Sequence, residues 1–444
     1  MYLRTSSVVV RWFVAIFCAL VLAAGCVGSL LLLYGGGSWQ SAAQLEASNL
    51  AAVEVSELVG TPDYQSAAEP EDHSLLRTIS SVFKLPLANP ASMLSTQLPV
   101  LDDRADAQSS GSQASLFNSL STWEQSSNKL AIGWAPYDTA SRTIHLIQEN
   151  PGISVISPKW MSVQNANGQI DDHVESDVVR YAHQHHVQVW AMCDNQFNAS
   201  LTHSVLSQPA NRQRLVQNIV HAAVAGKLDG VNIDFENVHA EDRTAFTQFI
   251  QSLASGLHTA HITLSADITP DIVFLKDDAA FFHAGLAESC DYVVLMAYDE
   301  HWGGDSEPGP VADVPWVESS VNDLLSTGVP ADKLILGLPF YTRFWYVHRD
   351  GSVTSEAVAA PNIRDILAQH HAESQWNDTL GVAYAKYAKP DGYMEVWYET
   401  DKTMQRKLQL VNELGLPGVA IWSLSLSSTE TWNSMLQALR QSVS

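Results

Sequence analysis

Residues 227–239, KLDGVNIDFENVH, set Val231, Ile233 and Phe235 in strict alternation with Asn232, Asp234 and Glu236. Period-two alternation with β-branched and aromatic residues marks a β-strand. Taken alone, the stretch needs only one wet face and one buried face. Its surroundings rule that simple picture out. From Lys129 onward, eight strand-like segments alternate with helical ones. The strands are KLAIGWAPYD, ISVISPKWMSV, VQVWAMCDNQF, LDGVNIDFENV, HITLSADIT, DYVVLMAYDEHW, KLILGLPFYTRFW and GVAIWSLSLS. Strand–helix alternation implies a parallel sheet, and eight such units imply a closed (β/α)8 TIM barrel. An open doubly wound sheet is the alternative. Between the seventh and eighth strands, AYAKYAKPDGYMEVWYE carries a Lys-Pro-Asp-Gly turn, so a small β-hairpin insertion is expected there.

In a barrel, alternate residues of each strand point inward. Val231, Ile233 and Phe235 then suit the helix-facing side, and the polar set enters an interior usually filled by branched apolar residues. Three buried polar side chains cost free energy unless they are hydrogen-bonded, so their presence points to chemistry. Active sites of such barrels lie at the C-terminal mouth. Glu236 reaches that mouth, Asp234 lies one pleat deeper, about 6–7 Å along the strand, and Asn232 is deepest. Desolvation and a carboxylate neighbour raise a Glu's proton affinity, which suits a general acid. Two carboxylates on one strand do not straddle a glycosidic bond as an acid–nucleophile pair does. They fit a reaction whose substrate supplies its own nucleophile. Asp229 has the opposite parity and sits at the strand start, where a structural role is expected.

DGVNIDFE resembles the DxxDxDxE signature of glycoside hydrolase family 18, the chitinase-like barrels. LMAYDEHW on the sixth strand and GVAIWSLS on the eighth extend the likeness across about residues 128–440. Within the family the chain is most similar to bacterial spore and cell-envelope peptidoglycan hydrolases. The resemblance implies that Glu236 protonates the leaving oxygen while the substrate's 2-acetamido oxygen attacks its own anomeric carbon. It implies that Asp234 orients the acetamido group, that Tyr298 hydrogen-bonds its oxygen with Asp299 alongside, and that Trp422 floors the sugar. Met296 shares parity with Tyr298. Asn232, with Met296 a candidate for substrate contact, stands where the family more often has Asp, which removes a proton-sharing partner from Asp234. Trp134, Trp160 and Trp302 are candidates for stacking on sugars. Asp194 and Asn195, ending the third strand, are candidates for glycan contact or for a helix cap. The expected activity is retaining hydrolysis of β-1,4 bonds in N-acetylglucosamine glycans, peptidoglycan first and chitin or poly-N-acetylglucosamine second. No metal or other cofactor is implied. A carbohydrate-binding protein without activity is the rival from another class, and the presence of Glu236 weighs against it.

The chain of 444 residues is 46% apolar and carries a net charge of −24 from 48 acidic and 24 basic residues. That balance argues against a nucleic-acid partner and reads as solubility. Trp12 to Tyr34 is a 23-residue run without charge, long enough to span a bilayer. Arg4 and Arg11 precede it and the next Lys or Arg is Arg77, which places the N-terminus in the cytoplasm. The apolar run continues past its Ala-Ala-Gly, unlike a cleaved signal peptide, and Ala23 fits a lipidated Cys26 poorly. The expected organisation is a cytoplasmic segment 1–11, a membrane anchor 12–34, a polar stalk 35–126 and an extracytoplasmic barrel 127–444. Cys193 and Cys290 show no metal-ligand spacing and are expected as free buried thiols. His183, His185 and His186 precede the third strand, at the barrel end opposite the mouth, and read as a solvated helix end.

Overall fold

A computed structural model describes residues 129–136, 138–270 and 280–440. The anchor at 12–34 and the stalk at 35–126 lie outside the described residues. Among those described, no helix is long and apolar enough to cross a membrane.

The strands are β1 (Leu130–Ala135), β2 (Val155–Val163), β3 (Ile170–Asp172), β4 (Gln188–Asp194), β5 (Gly230–Asp234), β6 (Thr263–Ile268), β7 (Tyr292–Met296), β8 (Leu334–Pro339), β9 (Tyr341–His348), β10 (Val353–Ala359), β11 (Gln375–Asn377), β12 (Val382–Lys389), β13 (Gly392–Tyr398) and β14 (Gly418–Trp422). The helices are α1 (Ala140–Glu149), α2 (Ser176–Gln184), α3 (Ala199–Leu206), α4 (Pro209–Gly226), α5 (Arg243–Thr259), α6 (His283–Ser289), α7 (Val314–Ser326), α8 (Ile363–Gln369), α9 (Asp401–Glu413) and α10 (Thr429–Arg440). Eight parallel strands run β1-β2-β4-β5-β6-β7-β8-β14, and β14 pairs back on β1 to close a TIM barrel. All eight are the strands read from the sequence.

The helix-facing side of β5 packs as its parity requires. Val231 and Ile233 are fully buried, and the ring of Phe235 stacks on Phe249 of α5 at 5.5 Å. Gly230 opens the strand where a Cβ would lie 2.5 Å from the Trp190 ring. Asp229 ties the bottom of the barrel: its Oδ2 accepts the Val189 N–H at 2.8 Å and lies 2.8 Å from His183 Nε2. Asp291 repeats the arrangement two strands on, with the Leu264 N–H at 2.8 Å and His258 Nε2 at 2.9 Å. His183, His185 and His186 are exposed at the end of α2, away from the mouth. Cys193 and Cys290 are buried and unpaired, and burial pushes both thiols up.

The insertion differs from the expected hairpin. The segment KLILGLPFYTRFW breaks at Phe340, so β8 stays in the barrel and β9 leaves it. A five-stranded antiparallel sheet, β10-β9-β13-β12-β11, follows with α8 against it. Phe344, Val358, Ile363, Leu367, Ala385 and Val396 give it a small apolar core of its own. The Lys-Pro-Asp-Gly turn does join two strands, β12 and β13, but they are two of five. The other strands, in polar-rich sequence such as VTSEAVA, lack a continuous apolar face because one side of this sheet meets water.

Candidate active site

Asn232 is the hub beneath the mouth and is 2% exposed. Its Oδ1 accepts from Trp134 Nε1 at 2.9 Å and from Ser157 Oγ at 3.5 Å. Its Nδ2 donates to Ser265 Oγ at 2.9 Å and to Asp267 Oδ1 at 2.7 Å. Two acceptor sites and two donors exhaust the amide's capacity. Asn232 therefore does not contact a glycan, contrary to the sequence expectation. Trp134 is corrected with it, since its ring is 1% exposed and its N–H is spent on Asn232. Both are part of the platform under the site.

Asp234 ends β5 at 9% exposure, and its Oδ1 is buried without a hydrogen-bond partner. Desolvation, then the Asp194 carboxylate, push its pKa up to about 7 against the opposing pull of Lys159. Lys159 Nζ and Asp194 Oδ2 form a 2.8 Å ion pair, with Asp194 only 2% exposed, so this pair is buried structure and not a sugar contact. Asp267, on β6, was not singled out from the sequence. The β5–β6 register pairs Asn232 with Ser265 and Ile233 with Ala266, so the next step sets Asp234 beside Asp267. Asp267 is 3% exposed, and its Oδ2 is also buried without a partner. Burial, then the charge of Asp234, raise its pKa well above the carboxylate range, against the Asn232 hydrogen bond. The signal was available in LSADI, where Ser265 and Asp267 alternate with Leu264, Ala266 and Ile268.

Tyr298 follows β7 at 4% exposure, with its hydroxyl buried and unpartnered. Burial, then Asp267, Asp234, Glu236 and Asp299, raise its pKa, which places the hydroxyl in the field of all four carboxylates. The Tyr298 ring lies 6.4 Å from the Trp422 ring at 28°, and Trp422 lies 5.9 Å from Trp134. Met296 and Trp422, the last residues of β7 and β14, are each 7% exposed. Trp160 is as buried, at 6%, and belongs to the main apolar cluster; Trp302 is half-buried. Asp299 adopts a left-handed φ of 61° and accepts a short hydrogen bond from the Tyr341 hydroxyl. Desolvation raises its pKa to about 6, against that hydrogen bond. Tyr341 opens β9 and was hidden in the sequence by a strand that looked continuous.

Glu236 is half-buried, two residues past the end of β5. Its position is set by Asn195, which is 1% exposed and whose Oδ1 accepts the Glu236 N–H at 3.1 Å. The Asn195 Nδ2 donates to the Glu236 carbonyl at 2.6 Å and to Thr202 Oγ1 of α3 at 2.8 Å. Asn195 thus grips a backbone and does not face a sugar, which corrects the expected contact here too. Losing this two-sided grip lets the Glu236 carboxyl drift. Asn195→Ala is expected to lower kcat on the order of 10²-fold with little change in KM, since misplacement by about 1 Å has that cost. Steady-state kinetics on a soluble oligosaccharide check it, and an unchanged kcat contradicts the positioning role.

The arrangement sets one half-buried carboxyl at the mouth above two buried carboxylates and a phenol, with an aromatic floor alongside. It suits proton donation to a leaving group while positive charge develops beneath. The chain is 28% identical over 318 residues to the uncharacterized glycosylase YvbX of Bacillus subtilis, covering 69% of this chain and 90% of that protein. It is 27% identical over 252 residues to the cortical fragment-lytic enzyme of Bacillus subtilis, covering 54% and 56%. Its fold matches the crystal structure of a chitinase from Chromobacterium violaceum with a TM-score of 0.63 at 22% identity, over 70% of this chain and 99% of that one. The profile of Glycosyl hydrolases family 18 matches residues 121–426, and the chain belongs to that family of glycoside hydrolases.

Proposed function

We propose that this chain is a retaining hydrolase of β-1,4-linked N-acetylglucosamine glycans that uses the substrate's own 2-acetamido group as nucleophile. One observation carries the reading. Asp234 Oδ1, an acceptor, and the Tyr298 hydroxyl, a donor, are both buried, unpartnered and next to Glu236. An acetamide has one N–H to give and one carbonyl to satisfy, and it completes both. Glu236 transfers its proton to the glycosidic oxygen as the bond from that oxygen to the anomeric carbon breaks. The acetamido oxygen closes on the same carbon, and the oxazolinium cation forms over Asp234. Water then attacks the anomeric carbon from the vacated side and returns a proton to Glu236, which restores the configuration. The ring faces of Trp422 and Tyr298 supply an apolar floor.

Asp267 takes part in this reading. Asn232 carries no carboxylate, and Asp267 supplies one to Asp234 from the adjacent strand, so burial and their mutual charge raise both pKa values and the two titrate as a coupled pair. Its raised pKa has a definite stability sign. Between about pH 4 and the folded pKa, the folded chain keeps a proton that the unfolded chain has released. Stability therefore falls as pH rises through that window. Asp267→Asn is expected to raise Tm at pH 8, by about 2–4 °C for each kcal/mol relieved, and to lose that gain toward pH 4. Thermal melts at the two pH values check it; a gain equal at both pH values contradicts the buried-acid reading.

Peptidoglycan-type glycan is the first substrate choice, supported by the cortical fragment-lytic relative. Chitin and poly-N-acetylglucosamine are the comparison substrates. Digestion of all three by wild type and Glu236→Gln, with product masses, separates these readings. Wild-type products from peptidoglycan that are absent with Glu236→Gln support the first choice. No product from any of the three favours a binding protein.

The anchor belongs to the same proposal. The uncharged run from Trp12 to Tyr34, behind Arg4 and Arg11, holds the chain in the cytoplasmic membrane with the barrel outside. The full chain is expected to stay with membranes through alkaline carbonate extraction. Release into the soluble fraction contradicts it.

A further inference from the structure

We propose that His203, His239, Glu241 and Asp242 form a site for one divalent transition-metal ion of the zinc class, next to the loop that carries Glu236. His203 projects from α3, and the other three lie between Glu236 and α5. One ligand atom each from His203, His239 and Glu241 falls within 4.8 Å of the others. His203 Nδ1 lies 3.0 and 3.1 Å from the two carboxylate oxygens of Asp242. It lies 3.6 Å from Glu241 Oε1, which is 3.7 Å from His239 Nδ1. The two imidazole rings are 5.9 Å apart. Ligand atoms around tetrahedral zinc, at about 2.0–2.1 Å from the ion, stand about 3.3 Å from one another. Small side-chain rotations bring the cluster to that spacing.

Asp242 supplies an independent observation. It occupies the N-cap position of α5, yet its side chain makes no capping hydrogen bond. The carboxylate is 2% exposed and faces His203. With its oxygens 3.0 and 3.1 Å from His203 Nδ1, the Asp242 carboxylate stands near the spacing of neighbouring ligand atoms and supplies the fourth donor. The His203, His239 and Glu241 side chains are 41%, 44% and 69% exposed, so an ion has an open approach. Two imidazoles with carboxylates favour zinc-like ions, whereas calcium and magnesium take oxygen donors.

The ion has no part in the bond-breaking steps; it staples two elements that already meet at Glu236. Thr202, next to His203 on α3, accepts the hydrogen bond from Asn195, which grips Glu236. His239 lies three residues after Glu236. An occupied site thus ties α3 to the catalytic loop on both sides of Asn195. This inference goes beyond the proposed reaction, and its test reads metal rather than turnover.

The tag-free full chain is stripped with EDTA, dialysed against Zn²⁺ or Co²⁺, and assayed for metal by mass spectrometry and for the visible spectrum of the cobalt form. One ion per chain is expected, with d–d absorption of a four-coordinate site. His239→Ala and Glu241→Gln change exposed side chains and are expected to melt like wild type in EDTA. Each weakens binding at least about 10–100-fold, the loss typical of an outer-shell partner alone. Far less than one ion per chain in wild type overturns the proposal. So does unchanged binding in both variants, because the ion then sits elsewhere.

Discussion

Glu236→Gln is expected to lower kcat on N-acetylglucosamine glycans by about 10²–10⁴-fold, the range a positioned general acid contributes, with KM changed far less. The amide has the size and hydrogen-bonding reach of the acid but no proton to transfer. The backbone of residue 236 is gripped at both N–H and C=O by Asn195, so the replacement keeps its place. The nearby carboxylates Asp234 and Asp267 lie deeper in the barrel, at 9% and 3% exposure, and neither reaches the leaving oxygen at the mouth. A second acid therefore does not rescue the variant. Initial rates on chitin oligosaccharides measure the effect, and a rate within a few-fold of wild type contradicts the assignment.

Asp234→Asn is expected to be nearly as damaging, with kcat falling by about 10²–10³-fold, the cost of removing one preorganised electrostatic partner of the transition state. The cation that develops above this side chain needs a negative charge beneath it, and an amide supplies none. Ionised Asp234 is the working form, and desolvation and Asp194 push its pKa up to about 7. The sign follows: kcat/KM of wild type falls as pH drops below about 7, because protonation removes the charge, and kcat/KM reports the free enzyme. A pH profile from 5 to 9 measures this limb. Full wild-type activity at pH 5, or Asp234→Asn turnover within a few-fold of wild type, contradicts the role.

Much of this was legible before any coordinates. Eight alternating segments carry the barrel, because strand and helix periods differ and each strand is bounded by turns or caps. The burial of Asp234, Tyr298 and Trp422 follows from the same reasoning. What stayed hidden depends on pairing across strands. The role of Asn232 as a saturated hub needs four partners from β1, β2 and β6, and no spacing along the chain reveals them. Asp267 lies beside Asp234 only through the β5–β6 register. Trp134 reads as a sugar platform until its N–H is seen spent on Asn232. The insertion was underestimated because sheet strands with one wet face show weaker apolar runs than barrel strands.

With the substrate's acetamido group as the proposed nucleophile, hydrolysis proceeds with retention at the anomeric carbon. Proton NMR of the first reducing ends released from an N-acetylglucosamine oligomer tests it most directly. The β-anomer is expected first, with the α-anomer growing in later by mutarotation. An α-anomer formed first means direct attack by water from the opposite face, and contradicts it.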